Sequence, residues 1–210
     1  MSLKHLILRT LAVASLGVGL AFAPAAQAQT SQGYTTIEPT QPSDTTGKVE
    51  VLEFFAYSCP YCFKLEPLTA EFSKDMPEGA VFKRVPIAFN ASMADLQKLY
   101  YSLEALDRLD LHSKVFETIH NQRKPIYEFK AIADWIETEG VDRKEFEAVF
   151  NSFGVNNKVR RANDLAKNYK IEGTPTLAIG GRYITSPSIA GSYEGSIALA
   201  RELLETSLKQ

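Results

Sequence analysis

Apolar side chains fall on both sides of KVEVLEFFAY (48–57): Val49, Val51 and Phe55 face one way, and Leu52, Phe54 and Ala56 the other. A short run that is apolar on both faces predicts a strand in the middle of a sheet. The period then changes. From Pro60 to about Asp75 the apolar positions Leu65, Leu68 and Phe72 recur at helical spacing, with Ser58-Cys59-Pro60 as the helix start and Pro60 at its first position. Pro67 lies inside this helix and is expected to kink it. AVFKRVPIAF (80–89) returns to a strand pattern, so the opening unit is strand–helix–strand.

Between Ser92 and Lys170 every apolar run has three-to-four spacing and none alternates, which predicts a block of about four to six helices. Pro125, Gly140 and Gly154 are its expected breaks. Beyond it, Thr176–Ile179 and Arg182–Ile184 flank Gly180-Gly181, a turn pair suited to a hairpin. Ser192 then opens a last amphipathic helix through Ile197, Ala200, Leu203 and Leu204. Ahead of the first strand, residues 29–48 are polar and rich in turn formers, with room for a short edge strand near Tyr34–Ile37. The fold class is therefore α/β, with a helical block between the two halves of a small sheet.

The first twenty-eight residues read as an export signal: Lys4 and Arg9, an apolar run LAVASLGVGLAFA, then Ala26-Gln27-Ala28 before Gln29. Without Lys4 and Arg9 the 23 basic residues fall to 21 against 25 acidic ones, a net charge of −4. That balance argues against nucleic acid or anionic lipid as a partner. Lys158, Arg160 and Arg161 sit at helical spacing and read as a solvated helix face.

Export also places the chain where disulfides persist. Only two cysteines are present, Cys59 and Cys62, separated by Pro60 and Tyr61. As a staple this pair closes too short a loop to remove much chain entropy. As a zinc site it lacks further ligands: the other candidates beyond the signal are His112 and His120, eight residues apart in the helical block and read as ordinary helix residues. The third reading is redox chemistry, and the spacing supports it. Cys59 at the helix cap points its sulfur at the unpaired N–H groups of the first turn, which favour a thiolate. Cys62, one turn further in, is set to resolve a mixed disulfide formed at Cys59.

Glu53 shares a strand face with Val49, Val51 and Phe55. If buried there it carries a raised pKa and can take up or relay the proton of Cys62; on a one-sided strand it is simply exposed.

VLEFFAYSCPYC, the interrupted α/β order and Gly173-Thr174-Pro175-Thr176 together resemble the DsbA family of periplasmic thiol–disulfide oxidoreductases, from about Tyr34 to Leu208. The resemblance implies a thioredoxin-like fold over 29–91 and 167–210 with an inserted all-helical domain over 92–166. It implies that Pro175 is cis and lies beside the cysteines, leaving the Thr174 backbone to pair with an extended substrate. It implies a buried glutamate at Glu53, reduced unfolded exported proteins as substrates, a membrane reoxidase of the DsbB type, and the periplasm as location; a monomer is expected because no dimerisation segment is apparent. No metal or other cofactor is expected, because the sulfurs carry the electrons. DsbA itself is a strong oxidant with an acidic cysteine.

One position departs from the family. Its commonest dipeptide between the cysteines is Pro-His, whereas this chain has Pro60-Tyr61. A tyrosine brings no charge to the Cys59 thiolate, so a less acidic cysteine than in a Pro-His relative is expected. Tyr61 can equally serve as a surface ring for substrate contact. Oxidation of client dithiols is the leading activity; reduction or isomerisation with the same atoms, and a non-catalytic binding module, are the alternatives.

Overall fold

The computed structural model describes residues 33–210, and the expected export signal, 1–28, lies outside them. Five strands form one sheet in the order β1-β5-β4-β2-β3. The central strand β2 (Val49–Phe55) runs into helix α1 (Pro60–Phe72) and on to β3 (Ala80–Pro86), which pairs with it in parallel. On its other side β2 pairs antiparallel with β4 (Thr176–Ile179), which turns into β5 (Tyr183–Thr185). The edge strand β1 (Thr35–Thr36) pairs antiparallel with β5. The hairpin turn needs its glycines: Gly180 and Gly181 have φ of +59° and +72°, and a Cβ on Gly181 would collide with the Gln41 carbonyl.

Five helices separate β3 from β4: α2 (Ala94–Ala105), α3 (His112–His120), α4 (Phe129–Thr138), α5 (Arg143–Phe150) and α6 (Phe153–Asn168). They pack a core that joins Leu52 and Phe54 of one face, and Phe55 at the end of the other, to Leu99, Phe116, Ile132, Ile136 and Phe146. The sheet and these helices thus share their hydrophobic interior. The opposite face is covered by α1 and by α8 (Tyr193–Leu208), with Val51, Leu177 and Ile179 packed on Leu65, Phe72, Ile197 and Leu203. Both faces of β2 are buried, as its sequence predicts.

Several boundaries differ from the expectation for physical reasons. β3 stops at Pro86 because its partner β2 ends opposite, at Phe55, and turns toward the cysteines. Gly154 breaks nothing: it sits in the first turn of α6, whose start is set by the Ser152 hydroxyl accepting from the Val155 N–H at 3.1 Å. Helix α7 (Pro187–Ala190) is unexpected, since four residues are too few to show a period. Its start is nonetheless written in Ser186-Pro187, a capping hydroxyl followed by a first-turn proline. Helix α1 runs on through Pro67.

Candidate active site

The end of β2 delivers the first cysteine. The Cys59 N–H donates to the Ala56 carbonyl at 3.0 Å, closing a tight turn that places Cys59 at the cap of α1 with extended backbone. Pro60 fills the first helical position, where a missing N–H costs nothing. The Cys59 sulfur accepts from the Cys62 N–H at 3.4 Å and, as a thiol, donates to the Thr174 carbonyl at 3.3 Å. Cys59 is half-buried, whereas Cys62 is only 1% exposed.

The two thiols titrate in opposite directions. A hydrogen bond from the Cys62 thiol, helped by the Cys62 and Tyr61 N–H groups, outweighs partial burial and lowers Cys59 to about 6. The Thr174 side chain adds to that lowering, whereas its carbonyl does not, because a carbonyl oxygen can pair only with the protonated thiol. Burial pushes the Cys62 thiol far up, and the neighbouring Cys59 sulfur adds to the shift. One sulfur is an available anion near neutral pH and the other holds its proton.

Thr174 arrives from the far side of the helical block, just ahead of β4, whose Thr176 pairs with Phe54 at the end of β2. The Thr174–Pro175 peptide is cis. Beside it opens a groove of about 760 Å³, lined among others by Tyr61, Thr174, Pro175, Ile184, Ile189 and Tyr193. Tyr61 stands at its rim, 59% exposed.

Glu53 points to the α1 side of the sheet and is 2% exposed. Burial raises its carboxyl to about 7 against the pull of Arg84, with the Glu66 carboxylate adding to the rise. Its neighbour across the ladder is Arg84, whose Nε lies 3.1 Å from Glu53 Oε2 but too bent for a hydrogen bond. The Thr69 hydroxyl stands 3.3 Å from Glu53 Oε1. Among the described residues Glu53 makes no hydrogen bond to either cysteine.

Sequence reasoning missed the rest of this buried polar cluster. Glu66 on α1 receives Arg84 at 3.2 Å, Ser113 at 2.9 Å and His112 at 3.2 Å. Burial pushes the Glu66 carboxyl up, but the His112 hydrogen bond and the Arg84 charge outweigh it and hold it below the usual carboxylate range. The signal was present: Glu66 interrupts the apolar face of α1 beside Leu65, and Arg84 sits on the strand that pairs with β2. Neither position announces a partner without the register.

Comparison with known proteins agrees with this geometry. The DSBA-like thioredoxin domain model matches residues 65–193. A thiol:disulfide interchange protein DsbA from Bordetella pertussis is 51% identical over 202 residues, 96% of this chain and 97% of that protein. The chain belongs to the DsbA family. A second DsbA, from Burkholderia cepacia, is 35% identical over 99% of this chain and 97% of its own length. The crystal structure of Pseudomonas aeruginosa DsbA superposes with a TM-score of 0.81 at 31% identity, covering 84% of this chain and 93% of that one. The fold is thioredoxin-like, and this DsbA-family chain is a thiol–disulfide oxidoreductase. What a DsbA needs is a reactive sulfur beside a protected one, and the α1 cap supplies that asymmetry.

Proposed function

We propose that the protein is an exported dithiol oxidase that donates a Cys59–Cys62 disulfide to reduced, unfolded client proteins. The observation that carries this reading is the unequal placement of the two thiols: Cys59 half-buried at the α1 cap with its sulfur accepting from the Cys62 N–H at 3.4 Å, and Cys62 buried one turn further in. A client thiolate attacks the Cys59 sulfur; the Cys59–Cys62 bond breaks and Cys62 takes up a proton. A second client thiolate attacks the client sulfur of the mixed disulfide. The client disulfide forms, and Cys59 leaves as the thiolate that the helix cap stabilises. Two electrons pass from the client to the dithiol.

Glu53 acts as the proton store for Cys62 through intervening water, since a carboxyl near 7 gives and takes protons at neutral pH. Pro60 and Tyr61 tune the attacking sulfur. Thr174 and Pro175 seat the client: neither a thiolate nor a disulfide can donate to the Thr174 carbonyl, so in those states it is open to a client N–H. Tyr61, Ile189 and Tyr193 give the groove an apolar wall that suits extended, side-chain-tolerant recognition. The division into a thioredoxin-like domain (29–91 and 167–210) and a helical insertion (92–166) belongs to the same reading.

The reduced dithiol is reoxidised by a membrane partner of the DsbB type, and the protein works as a periplasmic monomer after removal of residues 1–28. Reductase or isomerase action uses the same atoms, and the direction is set by the reduction potential. Two assays on the mature protein separate the readings: oxidation of a reduced multi-cysteine substrate and reduction of insulin. Oxidation with weak insulin reduction is expected. Strong insulin reduction without substrate oxidation would replace the oxidase by a reductase, and inactivity in both would leave a binding module.

A further inference from the structure

Helix α3 reaches the active-site turn twice, and both contacts fall on Tyr57. The Tyr57 hydroxyl lies 2.8 Å from His112 Nδ1, and His112 Nε2 lies 3.2 Å from Glu66 Oε2. Burial holds the His112 ring neutral. A carboxylate can only accept, so Nε2–H donates to Glu66 and Nδ1 accepts from Tyr57. Eight residues on, His120 donates from Nε2 to the Tyr57 carbonyl at 2.8 Å. The His120 ring also stacks on Phe63, with centroids 5.1 Å apart and planes 10° off parallel.

These partners bracket the dithiol. Tyr57 precedes Cys59 by two residues within the turn closed by the Ala56 carbonyl and the Cys59 N–H, and Phe63 follows Cys62 directly. Tyr57 itself is buried among Phe55 and Phe116. Both polar oxygens of one buried tyrosine are therefore held by histidines from outside the strand–helix unit. An ordinary helix face needs neither ring there, and apolar side chains would fill the same space.

We propose that His120 is a positioning residue for the dithiol, holding the Tyr57–Cys59 turn so that the Cys59 sulfur faces the first N–H groups of α1, while His112 braces the same tyrosine through its hydroxyl. The inference rests on the reading of Cys59 as the attacking thiolate. The contact at stake is sensitive: the Cys62 N–H reaches the sulfur at 3.4 Å, so a small loosening of the turn weakens it. The helical segment thereby acts on the chemistry through the carbonyl of Tyr57 as well as covering the sheet.

The test compares His120→Ala and His120→Gln in the mature chain, reading the Cys59 thiolate titration and the dithiol equilibrium with glutathione. For the alanine variant the Cys59 midpoint is expected to rise by roughly half a unit to one unit, and the equilibrium to move about three- to tenfold toward the protein disulfide. The glutamine amide can reach the same carbonyl and is expected to restore most of both. A folded alanine variant with unchanged titration and equilibrium overturns the proposal, whatever its melting temperature, as does a folded glutamine variant no better than alanine. Should the alanine variant not fold, His120→Phe keeps a ring stacked on Phe63 and removes the hydrogen bond to the Tyr57 carbonyl: a shift in the direction expected for alanine supports the proposal and no shift overturns it. A wild-type Cys59 that titrates like free cysteine would instead sink the proposed function before any variant is compared.

Discussion

The Cys59 sulfur lies 3.3 Å from the carbonyl oxygen of Thr174, a residue 115 positions further along the chain. The antiparallel pairing of β4 with β2 produces this meeting, because it sets the start of one strand beside the end of the other. A thiol can donate to that oxygen; a thiolate or a disulfide cannot. The protonation and redox state of Cys59 thus decides whether the Thr174 carbonyl is occupied or open.

The reduced protein should show one thiolate titration near pH 6, lost on Cys59→Ser, with Cys62 silent through neutral pH. Ultraviolet thiolate absorbance measures it. Because the folded value lies below the ordinary 9.0, the thiolate stabilises the reduced fold fully above about 9, and that contribution disappears as pH falls through about 6. At pH 7 it amounts to about 1 kcal/mol after discounting for solvent at the half-exposed sulfur. Unfolding reduced and oxidised protein at several pH values checks the sign: the reduced form should gain on the oxidised form as pH rises from 6 to 9.

Tyr61→His should lower the Cys59 midpoint further, by about 1 unit, when the imidazole is charged. The ring at position 61 is exposed at the groove rim, so the change should leave the fold intact. An equilibrium with glutathione shifted toward the reduced protein is the expected companion result. An unchanged or raised midpoint would show that charge at this position does not tune the sulfur.

Glu53 predicts a stability that falls with rising pH. Its folded value of about 7 lies above 4.5, so between these limits the folded protein keeps a proton that the unfolded chain has lost. The loss across the window is about 3 kcal/mol. Glu66 titrates below this range, and buried His112, held neutral, contributes with the opposite sign. The comparison of wild type with Glu53→Gln isolates the Glu53 part: denaturant unfolding of the glutamine variant should lack that fall.

Ile189→Asp places a charge on the apolar wall of the groove, away from the sulfurs. Peptide oxidation is expected to lose about tenfold in kcat/KM, with the Cys59 titration unchanged. A matching shift in the titration would mean that the substitution disturbs the dithiol and not the client seat.

Much of this was legible before the fold was known. The two-faced apolar run of β2, the cap at Cys59 with Pro60 behind it, the Gly180-Gly181 turn and the Ser192 helix start are local signals, and each is realised within a residue or two. The polar cluster was not legible. Glu66, Arg84 and His112 sit on α1, β3 and α3, and each alone reads as an ordinary charged or helical residue. His112 and His120 share a helix face as their spacing allows, but that the face meets Tyr57 depends on how α3 packs.

Local signals alone place two cysteines one helical turn apart at the end of a buried strand, because a cap, a first-turn proline and a short run apolar on both faces act over a few neighbours. Tertiary structure alone decided what surrounds them: the Thr174 carbonyl against the sulfur, Arg84 against Glu53, and two histidines on Tyr57. Hydrogen bonds and desolvation act across space, so they are fixed only when strand register and helix packing bring distant residues together.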